Sequence, residues 1–396
     1  MKILYFSFVE LDIPNACQTH TLGVLRGFSH HGCQVDALVP RPIYVRQEIP
    51  NVRFYYLWPW RFSPLGRLWV KFLGSLLMFF LCMKNKYDVI YVREMEANPG
   101  PRLCSKLFQI PLYMEINDLI VLVLSENGAP SPLLRKVKRN QELDFRQSSG
   151  LIVPSVPMCD WIIDQYGLSE SKVHTILNGT EVSNTSKLDR IQAREKLNLP
   201  LTCFCLGFVG TTYNGYDFNS ILQAAIKCQD EIPHLHLLII GDGPMTGEVK
   251  RKVTELGLEK KTVFHGYIQP EELGRILPAI DVGLLLRSRE GTLRYGPLST
   301  KFSTYAAYRL PVITAGFSME GYPDELAQGL SLVPPEDPQA LADMILWLYH
   351  HPEERKGKAK ILHDFVVKKL TWDAVTKQIL NIMENDKKSK LKSWNL

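Results

Sequence analysis

The sequence predicts a doubly wound α/β protein in two halves, each with its own parallel sheet. Three observations carry that expectation. Short apolar runs alternate with helix-like stretches over nearly the whole chain. The alternation lapses between Val182 and Pro200, a polar stretch closed by proline, and then restarts. In the second half, glycines stand directly after apolar runs, as strand-to-helix turns at one edge of a parallel sheet require.

In the first half, Ile3–Val9 reads as the opening strand. A turn over Asp12–His20 leads to a helix from Thr19 to His30, which Gly32 ends before a second strand, Cys33–Val39. His20, at the helix start, is expected to face the crevice at the strand ends rather than the core. Asn51–Trp60 is strand-like and aromatic, and Phe62–Met83 is apolar with helical spacing. From Asn51 to Ile110 there are nine Lys or Arg against three Asp or Glu. Basic residues beside Trp, Phe and Leu suit a helix lying in a membrane interface, here over residues 58–84; packing in the domain core is the equal alternative. Leu68–Met83 is 16 residues long and interrupted by Lys71, too short to span. Tyr87–Val92 and Pro111–Asp118 are buried strands with polar ends, so Glu94, Glu115, Asn117 and Asp118 should line the sheet edge. Leu151–Val153 and Val173–Glu181, closed by Asn178-Gly179, complete the first sheet.

In the second half, Phe204–Val209 is a strand, and Gly210–Asp217 is a glycine-bearing loop before a helix over Asn219–Cys228. His234–Ile240 is closed by Gly241-Asp-Gly-Pro244. Glycine after a strand lets backbone N–H groups approach a phosphate. Thr262–His265, Val282–Leu286 and Val312–Ala315 are further strands. Between the last two, Ser299 and Thr300 are good N-caps, Phe302, Tyr305, Ala306 and Arg309 keep helical spacing, and Pro311 stops the helix. Lys301 therefore sits in the first turn of a helix at the carboxyl edge of the sheet, where free N–H groups, the helix dipole, two hydroxyls and an amine converge. That is a place to hold a phosphate; an ordinary capped helix with an exposed lysine is the bland alternative. The segment from Pro338 onward is helical, and Lys387–Lys392 reads as a solvated basic tail.

The 396 residues allow about two domains, and a net charge of +5 is too mild to argue for nucleic acid. Eight cysteines make no Cys-x-x-Cys pair and no zinc spacing, and read as small buried hydrophobes in a reduced compartment.

Taken together these residues resemble the family 4 (group 1) glycosyltransferases. The most specific matches are the Gly210 loop, Leu238–Pro244, Val263–Tyr267, Asp281–Leu285 and the stretch from Lys301 through Tyr305-Ala-Ala to Leu310-Pro-Val-Ile313. The resemblance implies the GT-B fold, two Rossmann-like doubly wound domains facing an interdomain cleft. It divides the chain into 1–182 on the acceptor side, 183–372 for the nucleotide sugar, and a last helix with basic tail, 373–396, returning to the first domain. It also implies transfer from a nucleotide-diphosphate sugar to a saccharide or lipid-linked acceptor, usually with retention and without cofactor or metal. Cations, hydroxyls and helix N-terminal amides then stabilise the leaving diphosphate. Donor contacts fall on Gly210, Thr211, Thr212, Asn214, Gly241, Arg287, Ser299, Thr300, Lys301 and Thr304; catalytic roles fall on His20, Glu115, Asn117 and Glu290. The expected setting is cytoplasmic, at the inner face of a membrane, in polysaccharide or lipopolysaccharide assembly.

The chain departs from the family pattern where an arginine and a lysine usually grip the diphosphate, since Thr212 and Asn214 stand there. Thr304 and Gly296 replace two customary glutamates, with Glu290 just upstream as a substitute, and Arg309 replaces a helix-ending glycine. Arg287, Arg289 and Arg294 are the candidates to restore the missing charge. A non-catalytic relative acting as a binding subunit, and a nucleotide-sugar epimerase, are the alternatives.

Overall fold

The structure, a computed structural model, describes residues 1–394 apart from 14, 45, 59–63, 94–97, 127 and 182–188. Glu94, Trp60 and the start of the expected linker lie outside the described residues. The chain forms two compact units, the first comprising Met1–Gly179 and Trp372–Leu396, the second Thr180–Thr371.

Unit 1 alternates β1 (Lys2–Phe6), α1 (Ala16–His30), β2 (Gln34–Pro40), β3 (Val52–Leu57), α2 (Pro64–Lys84), β4 (Val89–Arg93), α3 (Gly100–Phe108) and β5 (Leu112–Glu115). It continues through α4 (Ile120–Glu126), α5 (Ser131–Gln147), β6 (Gly150–Val153), α6 (Val156–Tyr166) and β7 (Val173–Thr175). The strands lie in the order β3-β2-β1-β4-β5-β6-β7, every pairing parallel. Parallel strands need helices on both faces, which is why β1 and β4 read as continuous apolar runs with no alternation. The order reverses beside β1, so β1 and its neighbours mark the switch point.

Unit 2 repeats the plan with α7 (Arg190–Lys196), β8 (Phe204–Val209), α8 (Phe218–Lys227), β9 (Leu235–Ile240), α9 (Thr246–Glu255), β10 (Thr262–Gly266) and β11 (Val282–Leu285). There follow α10 (Arg289–Tyr295), α11 (Thr300–Ala307), β12 (Val312–Ala315), α12 (Asp324–Gly329), β13 (Ser331–Val333), α13 (Pro338–His350) and α14 (Pro352–Lys369). Its sheet is parallel in the order β10-β9-β8-β11-β12-β13. The last helix, α15 (Trp372–Trp394), belongs to unit 1. It seats on α1, where a Cβ added at Gly27 would fall 2.2 Å from Thr376 Oγ1.

The opening strand stops at Phe6, short of Val9, because Ser7 already begins the turn: its Oγ accepts from Val9 N–H at 3.2 Å. Helix α1 starts earlier than expected, at Ala16, since Asn15 caps it by accepting from Gln18 N–H at 2.8 Å. All eight cysteines are free thiols. Six are buried as small hydrophobes, but Cys17 is exposed and Cys159 half-buried, correcting the expectation that all eight pack inside.

Helix α2 answers both readings of its apolar sequence. Val70, Met78, Leu81 and Cys82 are buried, and Gly74 lets the backbone sit on the sheet, a Cβ there falling 2.4 Å from the Phe6 ring. The opposite face leaves Leu68, Trp69, Phe72, Leu76, Phe80 and Met83 exposed. Among the described residues no helix is long and apolar enough to cross a membrane.

Candidate functional site

In unit 2 the candidate site grows from three strand ends. β8 runs into Gly210, whose φ of 135° strains any side chain, and a Cβ there would fall 2.0 Å from Lys301 Cε. The turn after β9 is equally tight. A Cβ on Gly241 (φ 119°) would meet Gly210 O at 2.1 Å, and one on Gly243 would meet Thr212 O at 2.4 Å. The stem of Lys301 thus crosses Gly210 because no side chain stands in the way.

Lys301 is held from both ends. Ser299 caps α11, its Oγ accepting from Lys301 N–H at 3.2 Å. The amine donates to Tyr216 Oη at 2.5 Å and lies 4.3 Å from the centroid of that ring, with Phe208 beyond at 5.8 Å. Burial among these rings, and then the charge of Arg287, bring its pKa from 10.5 down to about 7. Burial likewise pushes the Tyr216 hydroxyl up.

Arg287 follows β11 and is 9% exposed. Its Nη2 donates to Leu298 O at 3.3 Å, its guanidinium lies 5.2 Å from the Tyr295 ring centroid, and its Nε has no hydrogen-bond partner among the described residues. Two cations therefore share one neighbourhood, and neither forms an ion pair among the described residues. Buried charge without counter-charge is costly, so the arrangement is set to receive an anion.

The other expected donor residues are placed unevenly. Thr211 and Asn214 are exposed on the loop, and Ser299, Thr300 and Gly241 are half-buried around the lysine. Thr212 is turned inward. It is fully buried and its hydroxyl shares a hydrogen bond with Thr246 Oγ1 at 2.6 Å, so it braces the β8 and β9 turns against each other. Thr304 Oγ1 donates to Thr300 O at 3.2 Å within its own helix. Glu290 stands in the first turn of α10, whose start is tied to the glycine loop by Ser288 N–H donating to Gly215 O at 3.1 Å. Its carboxylate is 76% exposed and pairs with Arg294 at 2.7 Å.

In unit 1 the structure brings His20, Glu115 and Asn117 together. Glu115, the last residue of β5, lies 2.5 Å from His20 Nε2 and 3.9 Å from Arg93 Nη1. It also accepts from Tyr91 Oη at 2.8 Å and Asn117 Nδ2 at 2.5 Å. Burial acts to raise the pKa of Glu115, but His20, Arg93 and Asn117 outweigh it and hold the carboxyl well below the usual range. His20 is 7% exposed, which corrects the expectation that it faces an open crevice. Trp372 covers it edge-on, with ring centroids 4.8 Å apart. The indole occupies a slot left by two glycines, since a Cβ on Gly23 or Gly179 would lie 2.2 or 2.5 Å from it. The cavity between His20, Glu115, Asn117, Pro154, Ile176 and Ile379 is about 10 Å3, room for no more than about one water. Trp372, Tyr91 and Arg93 in this cluster, and Tyr216 and Phe208 around Lys301, were not singled out by the sequence; only the Asn178-Gly179 turn and the Gly210 loop hinted at them.

The two unmatched cations thus stand at the carboxyl edge of a doubly wound parallel sheet, the edge at which ligands of such folds bind. Two family models match in tandem, Glycosyltransferase Family 4 over residues 17–184 and Glycosyl transferases group 1 over residues 203–351. The chain belongs to this group of glycosyltransferases, and it is an enzyme of that class. It is 24% identical over 326 residues to a D-inositol 3-phosphate glycosyltransferase of Corynebacterium urealyticum, covering 78% of this chain and 74% of that one. An uncharacterized glycosyltransferase of Methanocaldococcus jannaschii is 22% identical over 92% of both chains. Among solved structures, Anabaena HepE in complex with UDP-glucose matches with a TM-score of 0.71 at 18% identity, over 97% of this chain and 100% of that one. The fold is accordingly GT-B, two Rossmann-like units.

Proposed function

We propose that the enzyme transfers a sugar from a nucleoside-diphosphate sugar to a saccharide or lipid-linked acceptor, with retention and without a resident metal. The observation that carries this reading is the unmatched pair Lys301 and Arg287 beside Gly210. In transfer, the bond from the anomeric carbon to the diphosphate oxygen breaks while one to an acceptor hydroxyl oxygen forms, and the hydroxyl's proton passes to the departing diphosphate. Negative charge grows on the diphosphate, and two preorganised cations beside a helix N-terminus stabilise it in place of a metal. Arg287 would supply the charge that Thr212 and Asn214 lack. His20, Glu115 and Asn117 are assigned to the acceptor side on the family resemblance.

The nucleotide-sugar complex of HepE supports a UDP-sugar as the first donor to test. Thermal-shift measurements with UDP, GDP, ADP and their sugars test the reading. A selective rise in Tm, abolished by Lys301→Ala and unaffected by EDTA, is expected. No response to any nucleotide would overturn it.

We further place the enzyme at the cytoplasmic face of a membrane, in polysaccharide or lipopolysaccharide-type assembly. The exposed face of α2 continues onto α3 through Leu103 and Leu107, with Lys84, Lys86 and Lys106 exposed beside it. An apolar face rimmed by lysines suits an anionic bilayer surface. Co-sedimentation with vesicles containing phosphatidylglycerol, lost in Trp69→Ser/Phe72→Ser, is the check; equal sedimentation of the double variant sinks this placement.

A further inference from the structure

Tyr216 touches both cations of unit 2, each by a different part of the residue. Its main chain forms an antiparallel bridge with that of Arg287. The bridge is flanked on either side, where Asp217 N–H donates to Leu286 O at 2.9 Å and Ser288 N–H to Gly215 O at 3.1 Å. Its side chain meets Lys301, whose amine donates to the Tyr216 hydroxyl and lies over the ring. That ring is buried, with the rings of Phe208 and Tyr213 edge-on to it, each 5.0 Å away between centroids. Gly215 leaves room for Tyr213, since a Cβ there would lie 2.3 Å from its ring. The phenol oxygen is thus fixed by the loop and by two neighbouring rings, and it orders the flexible four-carbon stem of the lysine.

An ammonium has three N–H donors and no acceptor. Tyr216 takes one of them and leaves the others for an anion. Neighbouring groups do not compete for the amine among the described residues. Tyr305, on the same helix, has its hydroxyl between Val209 N–H and the carbonyls of Gly207 and Leu284. Thr304 is bonded within α11, Phe208 offers only a ring face, and Arg287 brings only a second positive charge. Tyr213 and Ser299 are hydrogen-bonded to the same phenol and so help to hold it in place. A hydrogen bond accepted from the charged amine favours that form, against burial and Arg287, which disfavour it. We propose that Tyr216 is a positioning residue for the leaving diphosphate: its hydroxyl aims the Lys301 ammonium at the anion site beside Gly210, and its main-chain bridge fixes the segment that carries Arg287. The proposal rests on the donor reading above and deepens it.

Tyr216→Phe keeps the ring and removes only the accepting oxygen. Calorimetric titration of the full chain with UDP-glucose, whose diphosphate keeps one charge state across neutral pH, reads the effect. Affinity near neutral pH should fall about tenfold. The pH above which affinity declines should move down by about one unit, because the charged amine has lost a partner. NMR titration of Lys301 in protein carrying isotope-labelled lysine, without nucleotide and assigned with Lys301→Met, should show the same downward displacement. Loss of packing alone would lower affinity equally at every pH and leave that midpoint in place, which overturns the proposal. So does unchanged affinity, or a midpoint displaced upward, the sign of a phenol that donates to a neutral amine. Tighter binding by the variant overturns it too, since the hydroxyl would then be competing with the diphosphate. If the phenylalanine variant does not fold, Tyr216→Met, which also lacks the oxygen, gives the same readings. Failure of the donor reading looks different: the unsubstituted protein would bind no nucleotide, while the amine titration would still report the hold of Tyr216 on Lys301.

Discussion

The two charged clusters of this enzyme are built on opposite rules. In unit 1, Glu115 is surrounded by His20, Arg93, Asn117 and Tyr91, so each charge has its complement within the fold. In unit 2, Lys301 and Arg287 share one neighbourhood in which, among the described residues, their contacts are a hydroxyl, a carbonyl and aromatic rings, with no carboxylate paired to either. Opposed charges stabilise the apo protein, whereas unmatched ones cost stability until a ligand completes them. The first is therefore best probed through folding and the second through binding.

The largest expected effect is on unit 1. Glu115→Ala strands His20 and Arg93 in a buried setting and should lose about 3–5 kcal/mol of stability, read from guanidinium unfolding. Glu115 is held ionised far below its ordinary range. Its contribution is therefore present above its unfolded pKa and lost only as pH falls through the depressed folded value. A variant as stable as the parent would show that the network is not what secures this corner. Next is Lys301→Met, which removes a charge-assisted contact worth about 1.5–3 kcal/mol, a loss of roughly 10- to 150-fold in nucleotide affinity by calorimetry. If affinity is unchanged, Lys301 is not a phosphate ligand.

How far the sequence foretold these clusters depended on the range of the contacts involved. The Ser299 cap, the Lys301 position and the Pro311 stop are local and were legible, as was the alternation that gives both sheets. Tyr216 under the lysine is 85 residues away, and Trp372 over His20 comes from a helix of the far C-terminus; no local pattern signals either. Thr212 was misjudged because its hydroxyl is consumed by Thr246 on another turn. Helix α2 is apolar on both faces, so periodicity could not tell its packed side, Val70 to Leu81, from its open side, Leu68 to Met83.

A pH series separates the two roles of Lys301. Its folded pKa of about 7 lies below the ordinary 10.5. Below pH 7 the folded protein holds a buried charge that the unfolded chain holds in water, so the penalty is full there. It fades as pH rises from about 7 toward 10.5, and apo stability should rise over that window. Nucleotide affinity should run the other way, flat below pH 7 and falling above it as the amine loses its proton. Lys301→Met should flatten both slopes and raise the apo Tm most at pH 6. Parallel slopes in stability and affinity would contradict an amine that waits, charged and unpaired, for an anion.

The smallest effect concerns how α11 ends. Arg309 has φ of 57°, left-handed, with its N–H donating to Ala306 O at 3.0 Å and that of Leu310 to Tyr305 O at 3.0 Å. These two bonds close the helix just before Pro311 and so fix the helix that carries Lys301 at its other end. An arginine in that conformation costs about 1 kcal/mol, which glycine avoids at the expense of a more flexible unfolded chain. Arg309→Gly should therefore gain about 0.5 kcal/mol of stability by unfolding titration, with nucleotide affinity unchanged. Because the substitution leaves the backbone where it is, any change in nucleotide affinity would mean that the Arg309 side chain, and not only the helix end it forms, acts on the cation pair.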